Sequence, residues 1–273
     1  MSEQFIRQSF LGEDSEDILL ATRIGIIGYG GGGSHIGQQS GHVGIGDILV
    51  IDPDVVEEKN LNRLVGATHD DAINTLPKVQ VAERVITGVF PKGKVIGIQA
   101  EWSSQIERLR DRHIIFGCVD SFAERAALER LCRRFLIPYI DIGMDVIERE
   151  DRFQIVGQAI LSSPDHACLR CLGIVDDETL ALEERARQYG DAGSKPQVVW
   201  PNGVLASTAI GLAMQLVTPW QRKTVLSAHL EYNGDLGTLT ESGRHKAFVA
   251  KHMSCPHYQP DELGDPLYRI SSS

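Results

Sequence analysis

Ile24-Gly25-Ile26-Ile27-Gly28-Tyr29-Gly30-Gly31-Gly32-Gly33 is the stretch whose reading decides the fold. The apolar run Ile24 to Ile27 reads as a buried strand that ends in a glycine cluster. Ser34 to Val43 then reads as a helix, and Asp47 to Ile51 as a second strand ending in the acidic Asp52-Pro53-Asp54. Strand, glycine turn, helix and strand make a βαβ unit. A short amphipathic helix precedes it, with Ile18 to Ala21 as its last apolar residues.

The alternation continues outward. Lys78 to Phe90 reads as a helix, Lys94 to Gln99 as a strand, and His113 to Val119 as an apolar strand running into Asp120. A helix follows from about Ala123 to Phe135, then a strand over Pro138 to Ile142. This order predicts an α/β fold with a doubly wound, mostly parallel, Rossmann-like sheet. The character changes after Gly143. Phe153 to Leu161 alternates like an antiparallel strand, and Thr224 to Tyr232 and Thr238 to Thr240 read the same way, so a C-terminal antiparallel extension is expected. Asp176 to Gly193 is charged, with a short helix over Glu178 to Tyr189, and reads as an exposed, mobile segment. The charge run Glu183 to Arg187 reads as a solvated helix face. Asn202 to Val217 reads as a buried helix with Asn202 as its N-cap, and Trp200 as a candidate wall of a substrate channel. The whole chain, 1–273, is expected to form one unit. Its nucleotide-binding half covers about 18–145, its metal-site, crossover and C-terminal part about 146–260, and a loose tail 261–273.

Composition bounds the function. With 273 residues, 42% of them hydrophobic, the chain can bury one large core. A net charge of −10 gives it no electrostatic reason to seek nucleic acid. No segment is apolar for the eighteen or so residues of a membrane span, and no signal-like apolar run opens the chain, so a cytoplasmic protein is expected. The five cysteines do not suggest a disulfide framework.

Gly28, Gly30 and Gly33 fit a GxGxxG pattern between a strand and a helix. Without Cβ atoms the backbone turns tightly and approaches a phosphate, and the helix N-terminus offers free N–H donors. Asp52, at the end of the next strand, suits ribose hydroxyls. This pattern does not separate NAD from ATP, so a nicotinamide-dependent oxidoreductase stays open here. Asn60-Leu61-Asn62-Arg63 and Leu76-Pro77-Lys78-Val79 come next. Asn60, Arg63 and Lys78 place an amide and two cations just beyond the ribose strand, which suits a triphosphate better than NAD.

Asp52-x-Asp54, then Asn60-Leu61-x-Arg63, then Pro77-Lys78, then Cys118-Val119-Asp120, then Cys168-Leu169-Arg170-Cys171 stand in the order of the ThiF/MoeB/HesA family, and the chain resembles that family from about Ile6 to Tyr258. The resemblance implies a ubiquitin-activating-enzyme-like adenylyltransferase. ATP and Mg²⁺ would be its cofactors, and a ubiquitin-like protein with a Gly-Gly C-terminus its partner. Asp120 would hold Mg²⁺. Arg63 and Lys78 would neutralise phosphate oxygens, Asn60 would donate a hydrogen bond, and Asp52 and Asp54 would complete the nucleotide site. Arg7, in the pair Arg7-Gln8, matches an arginine that reaches the ATP of a partner subunit, which implies a homodimer. Many relatives carry Asp-Asn where this chain has Asp120-Ser121, a change on the adenine side of the pocket. A catalytically silent scaffold and an enzyme that activates a tRNA base are the other readings; the retained Asp120, Arg63 and Lys78 weigh against the first, and the acidic charge against the second.

Cys168 and Cys171 form a C-x-x-C whose two sulfurs can reach one ion, and its position favours zinc over redox chemistry. The family closes this site with a second C-x-x-C. Here the place reads Cys255-Pro256-His257-Tyr258, with tyrosine for the last cysteine. Cys168, Cys171 and Cys255 with His257 would give a Cys₃His set, and His252 and His166 are other candidates for the fourth ligand. Cys118 and Cys132 fall in a strand and a helix and read as buried, inert thiols. The stretch Asp176 to Val199 contains no cysteine, so a thioester on the loop across the ATP site is not expected.

Overall fold

The computed structural model describes residues 2–150, 152–164, 166–188, 196–220 and 228–264. A 3-10 run over Glu3–Leu11 leads into helix α1 (Ser15–Ala21) and strand β1 (Arg23–Ile27). The sequence reading has nothing at Glu3–Leu11; Phe5 and Leu11 anchor that run by burying their side chains. Then come α2 (Gly31–Val43), β2 (Asp47–Ile51), α3 (His69–Ile73), α4 (Lys78–Val89) and β3 (Lys94–Ile98). The series continues with α5 (Ile106–Leu109), β4 (Ile114–Gly117), α6 (Phe122–Arg134), β5 (Tyr139–Arg149) and β6 (Arg152–Ser162). After these stand α7 (Asp177–Gln188), α8 (Val199–Val217), β7 (His229–Asn233), β8 (Thr238–Glu241) and α9 (Gly243–Ala250).

The eight strands form one sheet in the order β3-β2-β1-β4-β5-β6-β7-β8. Neighbours from β3 through β5 are parallel, and those from β5 through β8 antiparallel. The reversal of connection on either side of β1 opens a crevice beyond the strand ends, where α/β sheets take ligands. Both faces of the parallel part are covered, which is why its strands read as continuous apolar runs. On one face Ile24, Ile26, Ile48 and Val50 pack with Ile36 of α2, Val81 and Ile86 of α4, and Leu205 and Ala209 of α8. On the other, Ile27, Leu49, Ile51 and Ile115 pack with Leu128 and Cys132 of α6.

Three expectations shift. The glycines do not all lie in the turn: α2 begins at Gly31 with Gly30 as its N-cap, because Gly31 to Gly33 already take helical geometry. Residues 138–142 are the start of a much longer strand. β5 pairs in parallel with β4 through Tyr139, Ile140 and Asp141 and runs on to Arg149, antiparallel to β6 throughout. Asn202 is not an N-cap: α8 starts at Val199, and the Asn202 amide donates to the Val198 carbonyl at 2.9 Å from inside the helix. Of the strand expected over Thr224 to Tyr232, β7 supplies His229 onward, and residues 224–227 lie outside the described residues.

Gly28 takes a left-handed φ of 85° where the chain turns from β1, and a Cβ there would stand 2.6 Å from the Cys118 carbonyl oxygen. Gly33 is tighter still: its added Cβ would lie 2.0 Å from the Gly28 carbonyl oxygen, so α2 sits directly on the end of β1. Gly33→Ala should therefore destabilise the protein by roughly 1–3 kcal/mol through backbone displacement. Gly30→Ala, whose Cβ meets nothing within 4 Å, should cost much less. Urea midpoints of the two variants, measured side by side, check the contrast.

Candidate active site and metal centre

The ends of β1 to β4 and the start of α2 enclose a cleft of about 350 Å³. Gly28, Gly30, Asp52, Asp54, Asn60, Arg63, Lys78 and Asp120 all contribute to its wall. Gly33 does not; it acts one turn behind, in the contact of α2 with β1. Arg7 is also outside the wall and lies exposed on the Glu3–Leu11 run. Its neighbour Gln8 donates to the Val43 carbonyl at 3.0 Å, at the last residue of α2. That end is roughly 20 Å from the glycine turn by helix rise.

Asp52 organises one side. Its buried carboxylate accepts the Tyr29 N–H at 2.5 Å through Oδ2 and the Asp54 N–H at 2.8 Å through Oδ1. The glycine turn and the end of β2 are thereby tied together. Burial pushes this carboxyl above its ordinary range, partly offset by Lys78 and the two N–H donors. Lys78, at the first turn of α4, is itself buried and places Nζ 2.7 Å from Asp54 Oδ2 and 3.9 Å from Asp52 Oδ1. Asn60 is held by Glu57, whose N–H donates to Asn60 Oδ1 at 3.0 Å. Arg63 is half-buried and donates to the Lys59 carbonyl at 2.7 Å and to Asn62 Oδ1 at 3.1 Å.

The opposite wall is acidic. Asp120 follows β4, is exposed, and accepts a hydrogen bond from Gln197 Nε2 at 3.0 Å. Ser121 N-caps α6 by accepting the Glu124 N–H at 3.3 Å, and it donates to Glu183 Oε2 at 3.1 Å. Glu183 is thus no part of a solvated face, as its charge run suggests; it docks on α6. Trp200, by contrast, is exposed and does not line this cleft.

Sequence reading misses Arg125, Trp102, Gln197 and the position of Asn202, all in the cleft wall. Arg125 is buried, donates to the Val119 carbonyl at 3.2 Å and the Ile142 carbonyl at 3.1 Å, and stands 3.6 Å from the fully buried Asp141. It belongs to the first turns of a helix that starts beside Asp120, and that helical spacing is the signal that could reveal it. Asn202 has no such signal: it reaches the cleft because α8 crosses α2, close enough that a Cβ on Gly31 would lie 2.5 Å from Asn202 Nδ2.

The metal-ligating residues also converge. Cys168, Cys171, Cys255 and His257 bring their ligand atoms within 4.8 Å of one another. Cys168 Sγ is 3.5 Å from Cys171 Sγ, Cys171 Sγ is 3.7 Å from Cys255 Sγ, and His257 Nδ1 is 3.3 Å from Sγ of both Cys168 and Cys171. Edges of about 3.8 Å join the sulfurs of a tetrahedral zinc–thiolate site, so the set fits such an ion. His166 is not in the cluster and instead pairs with Ser163 Oγ at 2.7 Å; His252 is exposed and apart. Tyr258, in the place of a fourth cysteine, has another use. Its hydroxyl donates to Glu129 Oε2 at 3.0 Å, and its ring lies 4.8 Å from the Arg133 guanidinium. Cys132 is buried as expected, but Cys118 lies just past β4, half-buried in the cleft wall rather than inside a strand. Desolvation still pushes both thiols above the ordinary cysteine range, which makes them poor nucleophiles.

The ThiF family model matches residues 1–256. The chain belongs to the ThiF family. It is 31% identical over 164 residues to the SAMP-activating enzyme E1 of Haloferax volcanii, covering 59% of this chain and 57% of that protein. It is 27% identical over 213 residues to the sulfur carrier protein ThiS adenylyltransferase of Escherichia coli, covering 76% and 78%. The structure of the microcin C7 biosynthetic enzyme MccB with N-formylated MccA has the same fold, with a TM-score of 0.74 at 19% identity, covering 95% of this chain and 75% of that one. This ThiF-family chain spans about half the length of several of the curated relatives it matches. The curated relatives are named as adenylyltransferases or activating enzymes, so they give the oxidoreductase reading no support.

Asp52→Ala strands the Tyr29 and Asp54 N–H groups and removes one of the two carboxylates beside buried Lys78. The variant should lose about 2–3 kcal/mol of stability. Asp52→Asn keeps an acceptor oxygen and should lose less. Equilibrium urea unfolding of both measures the difference.

Proposed function

We propose that this chain uses Mg-ATP to adenylate the C-terminal glycine carboxylate of a ubiquitin-like protein, with release of pyrophosphate. The observation that carries this reading is the polarised cleft: a glycine turn and helix N-terminus at its floor, Lys78 and Arg63 on one side, Asp120 on the other. The N–H groups that open α2 would receive a phosphate. Asp52 would face the ribose, with Asp54 beside it fixing Lys78. Lys78, Arg63 and Asn60 would stabilise charge on the oxygens of the departing pyrophosphate. Asp120 offers the hard carboxylate oxygen that suits Mg²⁺, and the ion when bound would offset phosphate charge. The attacking nucleophile is the substrate's own carboxylate oxygen, which bonds to the α-phosphorus as the bond to pyrophosphate breaks. The chain then contributes position and charge rather than a covalent nucleophile.

The whole chain, 1–273, acts in this reading as one adenylation unit, and as a homodimer. Arg7 is tethered near the far end of α2 from the cleft of its own chain, so an Arg7 that meets ATP belongs to a second copy. The Cys₃His set would hold zinc and clip the 168–171 turn to the 255–258 turn. Such an ion adds stability by binding the native state alone. With Cys132 buried, the Cys118 thiol held above the ordinary cysteine range, and no cysteine over Asp176 to Val199, the product is an acyl-adenylate, without a protein thioester.

ATP–pyrophosphate exchange tests the reading. Exchange should require a Gly-Gly-ending partner, and Asp120→Ala should lower it by about 100-fold or more while the fold survives. Full exchange by that variant would defeat the assignment. Mixed Arg7→Ala and Asp120→Ala subunits should recover part of the activity, since one hybrid site stays whole. No recovery despite demonstrated subunit exchange would rule out the shared site. Elemental analysis should find close to one zinc per chain, and Cys168→Ser should lose both the metal and the fall in melting temperature that a chelator causes. A metal-free parent protein of undiminished stability would refute the zinc site.

A further inference from the structure

The Glu183 carboxylate gathers three donors at one place. Oε1 accepts the Phe122 N–H at 3.0 Å, and Oε2 accepts the Ala123 N–H at 2.9 Å and the Ser121 hydroxyl at 3.1 Å. These are the first groups of α6, a thirteen-residue helix. The opening N–H groups of a helix have no partner within it and carry the positive end of its dipole. Glu183 comes from α7, itself started by Asp176, whose Oδ1 accepts the Thr179 N–H at 2.7 Å, and packed inward through Leu180. Beyond α7 the chain returns to the same place. Gln197 Nε2 donates to Asp120 Oδ1 at 3.0 Å, and the Gln197 carbonyl accepts from Asn62 Nδ2 at 2.9 Å.

Two helix N-termini therefore border one cleft, α2 through Gly30 to Gly32 and α6 through Ser121 and Glu124, with Phe122, Ala123 and Glu183 just behind that wall. That of α2 follows the glycine turn and is flanked by the Lys78 side. That of α6 adjoins Asp120. Either alone is a ready seat for an anion, and a triphosphate that can choose between them has no fixed orientation. We infer that Glu183 and Gln197 are positioning residues of the nucleotide site: Glu183 fills the α6 anion seat, which leaves the phosphates to α2, Lys78 and Arg63, and Gln197 holds the Asp120 carboxylate at the cleft wall. Ser121 fits this role, since its hydroxyl is engaged by both the Glu124 N–H and Glu183. The acidic wall is completed by Glu124 and Glu101, which reinforce the exclusion of phosphate from that side.

The inference rests on the ATP reading above, and its test separates the two. The full-length protein and its Glu183→Ala, Glu183→Gln and Gln197→Ala variants are titrated calorimetrically with a non-hydrolysable ATP analogue plus Mg²⁺, and separately with inorganic pyrophosphate. Amide exchange of Phe122 and Ala123 is followed in parallel. Glu183→Ala should speed that exchange and should not weaken the ATP analogue, since an opened anion seat adds a binding mode and takes none away. It should also bind pyrophosphate about threefold more tightly, because the α6 seat becomes available. A merely structural residue would weaken both ligands together. Glu183→Gln, of the same shape, should keep the fold and show part of the pyrophosphate gain. Gln197→Ala should raise the Mg²⁺ concentration needed for analogue binding without the pyrophosphate gain. Unchanged affinities for both ligands in the Glu183 variants, or unaltered exchange at Phe122 and Ala123, would overturn the inference. A parent protein that fails to bind the ATP analogue would defeat the adenylation reading instead, while the exchange and pyrophosphate measurements still decide the Glu183 seat.

Discussion

The buried carboxylate of Asp52 is the contact on which the cleft depends. It accepts the N–H of Tyr29 in the glycine turn and the N–H of Asp54 beyond β2, so two strand ends and the opening of α2 share one anchor. A buried carboxylate is costly unless its lone pairs are filled and a cation stands near. Both conditions are met here by backbone donors and by Lys78. The same arrangement fixes Lys78 at the edge of the cleft, held to Asp54. Burial that would otherwise be a liability thus becomes the means of holding a cation in place.

A second constraint acts from the other side of β1. α6 begins next to Asp120, and its first turns carry Ser121, Glu124 and Arg125 into the wall. Arg125 bridges the carbonyls of Val119 and Ile142 beside buried Asp141, which fixes the chain just beyond β4 against the first residues of β5. Farther along, Glu129 receives Ser162 Oγ at 2.5 Å, the Leu169 N–H at 2.9 Å and the Tyr258 hydroxyl. The helix that presents Asp120's neighbours to the cleft is therefore also the helix against which the cysteine cluster is set. Tyr258 replaces a thiol with a hydrogen bond and a ring under Arg133, so the turn at 255–258 gains a second attachment to the core besides its ligands.

Local sequence determined the parallel half of the sheet, the glycine turn and the acidic strand ends. Apolar runs of strand length, separated by helical periodicity, leave few alternatives when both faces are buried. It also marked Asp52 and Asp120 after strand ends, Lys78 at a helix start, and Asn60 and Arg63 by the Asn-Leu-x-Arg motif, and the geometry brings all five to one cleft. The cysteine cluster was legible from Cys-x-x-C and from Cys255-Pro256-His257, although the choice of His257 over His166 or His252 needed distances. Only the tertiary structure decided the rest. β5 continues past Gly143 because β6 returns beside it as a hairpin, a pairing that residues 138–142 by themselves cannot announce. Glu183 leaves the solvated face its neighbours suggest because its carboxylate accepts the open Phe122 and Ala123 N–H groups that begin α6, some sixty residues earlier. Asn202 becomes a cleft residue through the crossing of α8 over α2, and Arg7 is removed from its own cleft by the length of α2. Hydrophobic period and turn chemistry are written within a few residues; the meeting of helix ends, carboxylates and amides depends on packing between distant segments, which no local pattern encodes.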